Sequence, residues 1–172
     1  MLTPNRSDVF LFPGDHFVGD ARHRVRTLLG SCVAITLWHA QRRVGAMSHF
    51  LLSARHSRDT GSLDGRYGGE SLLLMLHELS ARGVPVHECQ AKLFGGSDMF
   101  PNQGARDSAF HVGRRNGETA RALLQSRGLR VVAESLFGVG HRQVVFDIGD
   151  GAVWSRQVDP DDVTSLPTQA AA

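Results

Sequence analysis

Val33-Ala34-Ile35-Thr36-Leu37-Trp38, the polar Gln41-Arg42-Arg43, and then Val44-Gly45-Ala46-Met47-Ser48-His49-Phe50-Leu51-Leu52 decide the fold class. Two apolar runs, each too short for a stable helix, flank a polar turn, so residues 33–52 are expected to form a β-hairpin. With its turn centred near residue 41, paired numbers sum to roughly 82, which sets His49 beside residue 33. Upstream, His23 to Leu29 alternates, with Val25, Thr27 and Leu29 on one face and Arg24, Arg26 and Leu28 on the other. That is a strand, interrupted by Gly30-Ser31-Cys32 before the hairpin begins.

Working outward, Val9 to Phe12 reads as a short strand ended by Pro13-Gly14. Residues 53–66 are polar and read as a mobile surface loop, able to cover a site as a lid. Gly69 to Arg82 is the clearest helix, with Leu72, Leu73, Leu76 and Leu79 as its apolar stripe and Gly83 as its stop. Ala91 to Phe94 is a short strand running into Gly95-Gly96, and residues 97–110 are loop. A second helix spans Gly113 to Arg127, with Ala120, Leu123 and Leu124 apolar and Gly128 closing it. Leu129 to Leu136, Arg142 to Ile148 and Ala152 to Val158 are strands, the last two joined by a Gly149-Asp150-Gly151 turn. Mostly strands with two inserted helices imply an α/β domain of α+β character, built from layered mixed β-sheets. Residues 1–158 are read as one domain and 159–172 as a flexible tail.

A chain of 172 residues, 41% hydrophobic and 21% charged, fits one soluble domain. The net charge is only +2, so no polyanion partner is indicated and nucleic acid is not expected. Of 19 basic residues all but Lys92 are arginine. Arginine suits bidentate carboxylate contacts, although a compositional bias of the genome gives the same count. Two cysteines, Cys32 and Cys89, do not make a disulfide framework. The first residues carry no basic start with an apolar run behind it, and no stretch reaches the length of a membrane span. The expectation is a cytoplasmic protein without membrane insertion, in which a free thiol persists.

Four features could carry chemistry. Leu29-Gly30-Ser31-Cys32 is a small-residue break that frees backbone N–H groups beside a thiol, where they can stabilise an oxyanion. The alternative is a buried cysteine with no reactivity. His49, brought near by the hairpin, can take the thiol proton; alternatively it is a half-buried histidine bonded to a carbonyl. Thr27, at the end of the preceding strand, can orient an imidazole through its second nitrogen, though threonine is common in strands anyway. Gly95-Gly96 permits a tight turn or a close backbone approach, without the lysine of a phosphate-binding loop. Val112-Gly113-Arg114-Arg115-Asn116 stands just before a helix, where free N–H groups can hold an anion or an amide oxygen. The alternative there is a helix cap flanked by solvated arginines. Cys32, His49, His87 and Cys89 lack metal-ligand spacing, so no metal is expected.

Taken together, Thr27-Leu28-Leu29-Gly30-Ser31-Cys32-Val33-Ala34-Ile35 and Val44 to Leu52 resemble two signature stretches of the CheD family. Ala91-Lys92-Leu93-Phe94-Gly95-Gly96-Ser97-Asp98-Met99-Phe100 and Val112 to Asn116 resemble two more, in the same order and spacing, across residues 8–158. The resemblance implies a layered α/β fold related to bacterial deamidase toxins. It also implies a deamidase that converts glutamines of methyl-accepting chemotaxis receptors to glutamate. It casts Cys32 as nucleophile and His49 as base. It leaves the third residue between two positions, because the family's threonine can lie one residue further upstream, where this chain has Arg26. A one-residue shift turns a strand side chain to the other face, and Thr27 is the expectation.

On this reading Gly30, Ser31, Gly95, Gly96, Arg115 and Asn116 form the oxyanion and substrate-binding set. Neither metal nor organic cofactor is needed. The partners are the receptors' cytoplasmic helical region and, in the family, a CheC-like phosphatase. Two rivals remain open. One is an adaptor for such a phosphatase, which would have no use for an intact Cys32/His49 pair. The other is a cysteine hydrolase acting on another protein amide.

Overall fold

The computed structural model describes residues 5–56, 61–102 and 111–158. The expected tail, 159–172, lies outside them. The described elements are β1 (Ser7–Leu11), β2 (His16–Asp20), β3 (His23–Leu29), β4 (Val33–His39), β5 (Val44–Ser48), α1 (Gly68–Ala81), a 3₁₀ turn (Val86–Glu88), β6 (Gln90–Gly95), α2 (Val112–Ser126), β7 (Arg130–Leu136), β8 (His141–Asp147) and β9 (Val153–Val158). The strands form a four-stranded sheet, β1-β3-β8-β9, and a five-stranded one, β2-β5-β4-β6-β7. Both are mixed: β1 runs parallel to β3 and β6 parallel to β7, while the other pairs are antiparallel. The α1 helix lies on β2 and β5, and α2 on β4, β6 and β7. The molecule is therefore three layers: helices, five-stranded sheet, four-stranded sheet. This is the layered α/β arrangement expected from the sequence.

The central strand β4 shows how alternation builds two cores. Val33, Ile35 and Leu37 are fully buried toward the helices, with Phe50, Leu72, Met75 and Leu79. Ala34 points the other way, into the space between the sheets, with Met47, Leu29, Val25, Val144 and Phe146. Buried on both faces, β4 reads as a continuous apolar run rather than an alternating one.

Four expectations are corrected. The hairpin pairs Thr36 with Met47 and His39 with Val44, so partner numbers sum to 83 because the turn holds four residues, Arg43 among them at φ 51°. Val33 consequently faces Phe50, not His49. The second hairpin strand stops at Ser48, and His49 pairs its backbone with the β1–β2 turn instead (His49 N–H to Asp15 O 3.0 Å, Gly14 N–H to His49 O 2.8 Å). Residues 16–20, to which the sequence pattern assigns no element, form β2, an edge strand whose one neighbour among the described residues is β5. The stripe of α1 is Leu72, Met75, Leu76 and Leu79, with Leu73 only partly buried. Of the stretch read as a mobile loop, residues 57–60 lie outside the described residues. Its described flanks are tied down: the Leu52 amide donates to Arg66 O (3.0 Å), and Arg55 forks onto Glu70 (2.7 and 3.2 Å).

Candidate active site

Three elements converge where the two sheets meet. On β3, Thr27 shares the inward face with Val25 and Leu29 and is 3% exposed. Arg26 turns outward, 3.5 Å from Asp8. From the facing sheet, Met47 and Ala34 point inward, and side chains two residues along share their face. Cys32 and His49 therefore project into the same space as Thr27. The Val33–Phe50 bridge places His49 opposite Ala34, and so diagonal to Cys32. Diagonal neighbours are about 7–8 Å apart at the backbone, within reach of an imidazole.

The hydrogen bonds fix which imidazole nitrogen is free. The Thr27 hydroxyl lies 2.8 Å from the Leu11 carbonyl and 2.7 Å from His49 Nδ1. A carbonyl can only accept, so the single hydroxyl proton goes to Leu11 O, and Thr27 Oγ1 accepts from Nδ1–H. The lone pair of His49 is then on Nε2, a buried atom with no partner among the described residues. Such an atom is costly to leave unpaired, and it is placed to take a proton.

The loop before β4 has its carbonyls held and its amides open. Ser97 N–H donates to Gly30 O (3.0 Å), Asn116 Nδ2 to Ser31 O (3.0 Å), and Gly96 N–H to Cys32 O (2.8 Å). Among the described residues no backbone acceptor takes the N–H of Ser31 or Cys32. Gly95 (φ 110°) and Gly96 (φ 65°) occupy a region closed to most side chains, and a Cβ on Gly95 would collide with the Cys32 carbonyl oxygen. The glycine pair thus serves close backbone approach.

Asn116 is 1% exposed and fully committed: Nδ2 also reaches Leu51 O (2.7 Å), and Oδ1 accepts from Ser53 Oγ (3.1 Å). The stretch Val112 to Asn116, expected just before a helix, forms the opening turns of α2. Arg115 is exposed and lines, with Asn116, a cavity of about 140 Å³ whose lining includes none of Thr27, Cys32 and His49.

Burial governs both titrating groups. It pushes the Cys32 thiol up to about 11, its own backbone N–H pulling the other way. It pushes His49 down to about 4, against the Leu11 carbonyl and the Asp15 carboxylate. The resting site is a neutral thiol beside a neutral imidazole. Cys89 is a free thiol in the helix-side core, away from this space.

Three features of the site were not legible from residue type. The Leu11 carbonyl is backbone and leaves no sequence signal. Ser53 and Ser97 sit in polar stretches like any other. Arg142 left one signal: it occupies an inward position in the alternation Arg142, Val144, Phe146 on β8.

A three-layer fold holding a cysteine, a histidine oriented through Nδ1 and open amides beside the sulfur has the equipment of a thiol-dependent amidohydrolase. Comparison with known proteins is more specific. The family model described as CheD chemotactic sensory transduction matches residues 51–157. The chain is 56% identical over 154 residues to the probable chemoreceptor glutamine deamidase CheD 2 of Albidiferax ferrireducens, covering 89% of this chain and 88% of that one. It is 44% identical over 164 residues to the probable chemoreceptor glutamine deamidase CheD 1 of Chromobacterium violaceum (95% and 84%), and 34% identical over 155 residues to a namesake in Leptospira interrogans (86% and 90%). The chain belongs to the CheD family. A match over 89% of the chain necessarily spans Thr27, Cys32 and His49, which the family-model match does not.

Proposed function

We propose that this protein is a chemoreceptor glutamine deamidase in which Cys32 is the nucleophile, His49 the general base and Thr27 the residue that orients His49. The observation that carries the assignment is the Leu11 O–Thr27–His49 chain, which leaves Nε2 unprotonated and unbonded. As Cys32 Sγ attacks the carboxamide carbon of a receptor glutamine, its proton passes to His49 Nε2. Because both groups rest neutral, transfer accompanies the attack rather than preceding it. The amides of Ser31 and Cys32 receive the oxyanion. The imidazolium gives its proton to the departing nitrogen, ammonia leaves, and a thioester remains. Water, deprotonated by His49, attacks the thioester; glutamate and the free thiol result.

Gly30, Gly95, Gly96 and Asn116 shape the nucleophile loop, and Arg115 stands at the margin where substrate would lie. Residues 1–158 act as one domain, and the reaction takes place in the cytoplasm on the receptors' helical region. No described helix is long and apolar enough to cross a membrane.

The test is the mass of a receptor signalling fragment after incubation with the protein. An amide-to-acid change at particular glutamines is expected from the wild type. It is expected to vanish with Cys32→Ala and to persist with Cys89→Ala. Loss with a folded Cys89→Ala protein would overturn the nucleophile assignment. No change with the folded wild type across several receptors would favour an adaptor that binds a CheC-like phosphatase.

A further inference from the structure

We infer that Arg142 is a positioning residue for the oxyanion site: its buried guanidinium holds the Gly95-Gly96 turn, which in turn holds the backbone of Cys32. This rests on the reading of Cys32 as nucleophile. Arg142 lies on β8 in the four-stranded sheet and is 4% exposed. Among the described residues it has no carboxylate partner. Its Nη1 donates to Gly95 O (3.0 Å) and Ser135 O, and its Nη2 to Phe137 O (2.7 Å) and Gln157 Oε1 (3.4 Å). The three main-chain carbonyls lie at or just past the ends of β6 and β7, in the other sheet, while Gln157 is on β9 beside β8. A buried cation without a counter-ion is costly, and only dense hydrogen bonding offsets the cost. Burial accordingly lowers the pKa of the guanidinium.

The carbonyls it gathers lead directly to the nucleophile. Gly95 O also accepts from Phe137 N–H (2.8 Å), which carries the β6–β7 pairing one residue past Leu136. The next residue, Gly96, donates to Cys32 O, and Ser97 donates to Gly30 O. On the main-chain side, Arg142 is the register partner of Leu29, the residue that enters the loop. One residue therefore fixes the loop from both ends: at Leu29 through the β3–β8 ladder, and at Cys32 through Gly95-Gly96. Held carbonyls keep the Ser31 and Cys32 amides pointed at one place. Release of the Gly95 turn would let those peptides rotate, spoiling the oxyanion geometry while leaving sulfur and imidazole where they are.

Two reagents separate these effects. Acylation of Cys32 by p-nitrophenyl acetate passes through a tetrahedral oxyanion: the C–S bond forms, nitrophenolate leaves, and the thiol proton goes to His49. Alkylation by iodoacetamide displaces iodide at a saturated carbon and forms no oxyanion. Both rates are measured in a Cys89→Ala background, where Cys32 is the sole thiol. In Arg142→Lys the charge stays, but a point-like ammonium cannot span the same carbonyls. Acylation is expected to fall at least roughly tenfold, given the about 10²–10³-fold effect of deleting an oxyanion donor. Alkylation is expected to stay within about twofold. Arg142→Met is the stronger perturbation; should it fail to fold, Arg142→Lys with an unchanged circular dichroism spectrum carries the test. Parallel loss of both rates, or no change in either, would overturn the inference. Wild-type acylation no faster than that of Cys32→Ala would instead sink the nucleophile assignment and this inference with it.

Discussion

At the scale of single residues, the hydroxyl of Thr27 makes a decision that its neighbours cannot. With its proton committed to Leu11 O, it can only accept from His49. Thr27→Val keeps the shape, removes the acceptor and frees the imidazole to take the other tautomer. Deamidation kcat is expected to fall by roughly 10–100-fold, up to the low end of the about 10²–10⁴-fold contribution of a general base itself, while Thr27→Ser retains most activity. Equal loss in both variants would remove the orienting role. The titration of His49 has a sign that can be worked out. Its folded pKa of about 4 lies below the ordinary 6.5. Between those values the unfolded chain binds a proton that the folded one does not. Stability contributed by the neutral imidazole is therefore complete above about pH 6.5 and is lost as pH falls toward 4, by roughly 3 kcal/mol in total. Urea unfolding at pH 7 and pH 4 should show this difference in the wild type and a smaller one in His49→Gln.

At the scale of elements, the loop that ends in Cys32 is only three residues long, and what shapes it comes from far along the chain. Asn116 on α2 binds Ser31 O and Leu51 O together, tying the two ends of the hairpin to a helix. Asn116→Ala takes the donor from two half-buried carbonyls, each costing up to about 1–3 kcal/mol when left unsatisfied. A loss of about 2–5 kcal/mol in denaturant unfolding is expected, together with a fall in kcat larger than any change in KM. The hairpin itself was legible because its strands are long apolar runs around a polar turn. Its exact register was not, since the turn conformation, with Arg43 in the left-handed region, sets the pairing by one residue. The β2 strand was illegible for a related reason. His16-Phe17-Val18-Gly19-Asp20 has little strand character of its own, and pairing with β5 under α1 makes it one.

At the scale of the whole molecule, the site exists because two sheets pack face to face. Thr27 belongs to one, Cys32 and His49 directly flank β4 and β5 of the other, and the inter-sheet core sets the distance between them. Phe146 is fully buried in that core, against Gly45. Phe146→Ala should lower stability by about 3–5 kcal/mol. It should also weaken the Thr27–His49 hydrogen bond, visible as a downfield imidazole Nδ1–H resonance that broadens or shifts. An unchanged resonance in a destabilised protein would mean that the site is rigid independently of the core.

The sequence by itself determined the elements and the residue types. Periodicity located both helices and eight of the strands, and the break at Gly30-Ser31-Cys32 marked the thiol. These are local properties, written in apolar spacing and in glycine. Only the tertiary structure decided that Thr27 rather than Arg26 faces His49, that a main-chain carbonyl selects the tautomer, and that Arg142 reaches across to the Gly95 turn. Each of these depends on which strands from distant parts of the chain lie side by side, and no local pattern records that.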